Sequence, residues 1–80
     1  MSKRIMKPNT PIGSKVIFRF PEAGTRAEQN EIKDYLSVGK HYEIIEIKVT
    51  KNIVKVRFMR FEHIYFNSVF FANIEGQRFS

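Results

Sequence analysis

Four short runs in this chain alternate apolar residues with polar or outward ones: "SKVIFRF" from Ser14, "HYEIIEIKV" from His41, "IVKVRFMR" from Ile53 and "FEHIYF" from Phe61. Side chains along an extended strand point alternately to opposite faces, so each run can bury one side and wet the other. Brief runs of this kind, rich in β-branched and aromatic residues, predict a small β fold. In the first, Val16, Phe18 and Phe20 take one face and Lys15, Ile17 and Arg19 the other, until Pro21 ends the strand. In the second the phase slips: Tyr42 and Ile44 share a face, while Ile45, Ile47 and Val49 share the opposite one, which predicts a bulge or a sharp bend. Thr50-Lys51-Asn52 is a polar break of hairpin length. The third run sets Val54, Val56 and Phe58 inward against Lys55, Arg57 and Met59 outward. No Gly, Pro, Asn or Asp marks the next reversal, near Arg60 to Glu62; it is inferred from the polar pair that interrupts the inward series.

The stretch "EAGTRAEQNEIKDYL" lacks the strand-forming composition. Thr25 followed by Glu28 fits a capping box, in which each side chain satisfies a free backbone N–H at a helix start. Ile32, Tyr35 and Leu36 fall at i, i+3 and i+4, predicting a short helix over residues 26–36, with an ordered loop as the alternative. Gly39 is placed to reverse the chain into the second run. "NSVFF" can open a single helical turn at Asn67 or Ser68, and "ANI" a last short strand. Residues 1–10 are polar and basic and read as a flexible tail, 11–76 as one barrel domain, and 77–80 as a C-terminal tail.

This order resembles the SH3-like small-barrel proteins of bacteria and phages, on three pieces: "IGSKVIF", the segment "LSVGKHYEIIEI" of the L-x-x-G-K-x-Y-x-[IV]-[IV] type, and the closing "NSVFF". The resemblance covers roughly residues 12–74 and implies a five-stranded SH3-like barrel with one short helix or ordered loop after the first strand. Two features depart from it. "MRFEH" stands where such relatives have an Asp/Asn-Gly turn, and the chain has neither Trp nor an Ala-Leu-Tyr-Asp-Tyr-like segment, which argues against binding of proline-rich peptides.

At 80 residues the chain makes a single domain. A stability on the order of 4 to 12 kcal/mol leaves little room for a strained catalytic site. Without cysteine it has neither disulfide nor thiolate metal ligand. His41/Glu43 and Glu62/His63 match no metal-binding spacing. The serines fall at turns and strand ends, the glycines are scattered singly, and Glu43 and Glu46, three apart in a strand, are expected on opposite faces. The expectation is therefore a protein that is not an enzyme and needs no cofactor or metal. No apolar run has the length of a membrane span or the form of a leader, so a cytoplasmic protein is expected.

The formal net charge of +6 is unevenly spread: basic up to Arg19, acidic from Glu22 to Glu46, and basic again beyond. Lys55, Arg57 and Met59 share the outward parity of the third strand, and Phe61, His63 and Tyr65 share one parity of the fourth. If these sets lie on one side, cations interleave with rings and can hold phosphates while stacking bases. The expected nucleic-acid site is thus Lys48, Lys51, Lys55, Arg57 and Arg60 with Phe61, His63 and Tyr65. The alternative is a surface for a host or defence protein, or for a second copy of the chain, made of Glu28 and Glu31 with an apolar centre at Ile17 and Met59. Outward cations on strands also serve simply to keep edges soluble.

Overall fold

The computed structural model describes residues 5–74. Five antiparallel strands and one short helix form the fold: β1 (Lys15–Phe18), α1 (Arg26–Tyr35), β2 (His41–Val49), β3 (Val54–Phe58), β4 (Phe61–Asn67) and β5 (Phe71–Asn73), with a 3₁₀ turn (Ser68–Phe70) before β5. This is the mostly β class, with a short helix after the first strand, that the periodicity predicts. The strands lie side by side in the order β4-β3-β2-β1-β5.

β2 is shared by two halves of the sheet. Its first residues pair with β1, Lys15 opposite Glu43 and Ile17 opposite His41, and the remainder pairs with β3 from Ile44 opposite Phe58 to Val49 opposite Val54. The register shifts between Ile44 and Glu46, where the sequence loses its phase. A bulge absorbs one residue, so Ile44 and Ile47, three apart, both turn toward the core. The same device corrects the expectation for Glu43 and Glu46: each precedes an inward isoleucine, so both project outward. They remain at different ends of the strand, Glu43 beside β1 and Glu46 opposite Arg57.

The core is built on phenylalanine. Phe18, Phe58, Phe70 and Phe71 are fully buried, and Phe58 meets Phe71 at 4.9 Å and Phe66 at 5.9 Å between ring centroids. Edge-on and offset ring contacts of this kind add to the gain from burying apolar surface. Ile32 and Leu36 bring α1 onto this cluster, and Tyr35 leans its ring on Phe61 and Phe66 while staying half exposed. Thr25 and Glu28 form the capping box reciprocally.

The chain start differs from the tail expected over residues 1–10. Met6 is buried, its N–H donates to the Phe71 carbonyl at 2.8 Å, and the Lys7 N–H donates to Asn73 Oδ1. Thr10 is buried too and accepts from Asn73 Nδ2. Two adjacent apolar residues, Ile5 and Met6, in a polar stretch carry no periodicity, so this strap along β5 leaves no trace in the pattern. Residues 1–4 and 75–80, which include the first four residues of the expected N-terminal tail and the whole of the expected C-terminal one, lie outside the described residues. Among the described residues, no helix is long and apolar enough to cross a membrane.

Candidate nucleic-acid interface

Because Val56 and Phe58 are buried, Lys55 and Arg57 must face out. Their partners across β2 are Lys48 and Glu46, and Asn67 of β4 stands opposite Lys55. Tyr65, one residue from buried Phe66, joins the same outer face. The Tyr65 hydroxyl donates to Glu46 Oε1 at 2.8 Å, and the Arg57 guanidinium meets that same oxygen at 2.6 Å. Arg57 also donates to the Glu62 carbonyl at 2.8 Å, while its Nε is buried without a hydrogen-bond partner. Lys48 Nζ and the Arg57 guanidinium sit 5.6 and 5.4 Å from the centre of the Tyr65 ring, within cation–π range. The bond to Glu46 holds the Tyr65 phenol above its ordinary pKa, so the ring stays neutral and fixed.

Lys48 and Lys55 stand directly opposite one another in the β2–β3 register. Like charges in that position destabilise a sheet unless something anionic lies between them. Glu28 supplies a partial answer, since Lys55 contributes to lowering its pKa.

The other expected residues are distributed more widely. Lys51 is exposed in the β2–β3 turn, which Thr50 closes by donating from its hydroxyl to the Ile53 carbonyl. His63 is exposed on β4, on an irregular stretch where pairing with β3 jumps from Val56 opposite Phe66 to Phe58 opposite Phe61. That irregularity breaks the parity assigned to the fourth strand: Phe61 turns inward and packs on the core, touching the rings of Tyr35, Tyr42 and Phe66. It therefore does not lie beside Tyr65 as a stacking surface. Arg60 occupies the tight turn after β3 with φ of 77° and, with Met59 and Phe61, borders a separate depression of about 370 Å³ lined also by Lys15, His41, Tyr42 and Glu43.

The residues of the alternative surface also separate. Glu28 and Glu31 border a groove between α1 and β3–β4, whereas Met59 borders the depression by the β3–β4 turn and Ile17 sits in β1 opposite His41 and Ala72. Glu28 is occupied structurally. Its Oε1 accepts from the Thr25 N–H at 2.8 Å and its Oε2 from Asn67 Nδ2 at 3.2 Å. The Thr25 bond foremost, with the Asn67 bond, holds its carboxyl below the usual pKa against the opposing effect of burial.

Sequence reasoning missed Glu46 and Asn67. Glu46 could have been found, since a glutamate opposite an arginine follows once the strand register is known; Asn67 carried only a helical-turn signal. Among the described residues, no group of His, Asp and Glu gathers as metal ligands. No protein-family model matches the chain, and comparisons with curated proteins and with solved structures give no significant match.

Proposed function

We propose that this chain is an SH3-like small-barrel binding protein, not an enzyme, that acts in the cytoplasm by holding nucleic acid on the outer face of β2, β3 and β4. The observation that carries the reading is the opposed Lys48–Lys55 pair beside a fixed, half-exposed tyrosine ring. Two lysines across a sheet are spaced to hold neighbouring phosphates, and relief of their repulsion adds to the gain on binding. Lys51 extends the positive strip toward the turn and His63 extends the face along β4. Arg57, neutralised by Glu46, orients Tyr65 rather than supplying free charge.

The test is fluorescence anisotropy with labelled single-stranded DNA, duplex DNA and RNA across a salt series. Each phosphate contact contributes a slope of roughly 0.7 on a log–log plot for single strands. Lys48→Gln with Lys55→Gln is expected to remove at least two contacts and, since the opposed charges are gone, to leave the thermal midpoint unchanged or raised. Unchanged affinity in that variant refutes the reading.

A protein partner is the second reading, favoured by one observation: Met59 is 49% exposed at the rim of the larger depression. Its predicted signature is loss of a complex on Met59→Ala with nucleic-acid binding intact.

A further inference from the structure

The groove beside the lysine pair has a chemistry unlike the rest of that face. Glu28 and Glu31 of α1 form one wall, Lys55, Tyr65 and Asn67 the other, and buried Phe66 lies at the base. Its volume of about 140 Å³ is close to the roughly 150 Å³ cavity that holds a single benzene ring. One six-membered ring fits within it. Both carboxylate oxygens of Glu28 are committed to protein donors. The Glu31 carboxylate forms no hydrogen bond or ion pair with any described residue.

An ionised carboxylate accepts hydrogen bonds and donates none. Set next to phosphate-binding lysines, Glu31 repels the backbone and favours a base edge that presents an N–H. At the 4-position cytosine offers its amino group to such an acceptor, whereas thymine and uracil place the O4 oxygen there and keep only the N3–H beside it. We infer that the groove is a pocket for one cytosine of a single-stranded nucleic acid, with Glu31 as the residue that sets the base preference. The inference rests on the nucleic-acid reading above. The ring enters against Tyr65, and Lys48 moves off the tyrosine toward the phosphate that accompanies the base. A single strand is required because the groove takes in the ring itself, which a base stacked in a duplex does not give up.

The experiment uses the full chain at neutral pH with labelled oligo-dC, oligo-dT, oligo-rC and oligo-rU of equal length. Cytosine tracts are expected to bind roughly fivefold more tightly than thymine or uracil tracts, the lower end of the discrimination a good base contact gives. The series that binds more tightly identifies the sugar. In Glu31→Ala the preference is expected to disappear while affinity for oligo-dT holds or rises, because a negative charge has left. Glu31 is an exposed helix position, and alanine favours the helix, so this variant folds. Equal affinity for all four tracts with normal salt dependence overturns the pocket and leaves the nucleic-acid reading standing. A cytosine preference that survives Glu31→Ala overturns the role of Glu31. No binding to any tract overturns both.

Discussion

Replacing Glu28 with alanine cuts two hydrogen bonds that fix α1 at its start and along its docked side, from the Thr25 N–H and from Asn67 Nδ2. Bonds to a charged acceptor contribute up to about 3 kcal/mol when dry, but this carboxylate is part exposed, and solvent screening reduces each to about 0.5–1 kcal/mol. The loss is therefore about 1–2 kcal/mol, and at 4–8 °C per kcal/mol for a domain of this size the thermal midpoint falls by roughly 5–15 °C. Glu28→Gln separates the two contacts. Its carbonyl still accepts from Thr25, but its amide then faces Asn67 Nδ2, and Asn67 is held in that orientation by the bond from the Val69 N–H to its Oδ1. About half of the loss is expected. The pH dependence follows from the lowered pKa of Glu28. A carboxyl more acidic in the folded than in the unfolded chain stabilises fully above the unfolded value, about 4.3, and the contribution disappears as pH falls through the folded value. The difference between wild type and Glu28→Gln is thus constant from neutral pH down to about 5 and closes below about 4. Circular dichroism melts across that range measure it. A midpoint within about 2 °C of wild type at neutral pH, or a difference that widens on acidification, refutes the reasoning.

Gly24→Ala is expected to cost more than about 2 kcal/mol, because φ there is +73° and a Cβ would lie 2.8 Å from Phe70 Cζ in the core. Gly39→Ala, at φ of +86° but with open space, costs only about 1 kcal/mol; urea midpoints of the pair compare them, and equal losses refute the steric argument. Arg60→Gly relieves a side chain held at φ of 77° and raises stability by about 0.5–1 kcal/mol. A lower melting midpoint in that variant shows that Arg60 contributes a contact worth more than its strain.

Local signals were legible where neighbouring residues alone decide the outcome. The Thr25–Glu28 capping box, the alternation of β1 and the slipped phase of β2 each appear where the residues place them. What the sequence could not reveal depends on strand pairing or on an unusual turn. The β3–β4 reversal has no turn residue of its own; the Glu62 carboxylate accepts from the Arg60 N–H at 2.8 Å, and the chain tolerates a left-handed arginine there. Phe61 shares a parity with Tyr65 in the sequence, and only the register jump on β4 sends one inward and the other out. Lysines 48 and 55, read separately as outward cations, become a candidate site only once pairing sets them face to face.

The fifth strand has a consequence for how the protein is made. It is three residues long, yet it pairs with the first strand, Val16 lying opposite Asn73, and the rings of Phe70 and Phe71 complete the core around Phe18. A chain emerging from the ribosome amino end first presents four strands with no means of sealing them, so folding waits until β5 has emerged. Until then β1 offers an unpaired edge to any neighbouring chain. A product truncated before Phe70 is therefore expected to aggregate, or to be degraded, rather than to persist as a smaller version of the fold.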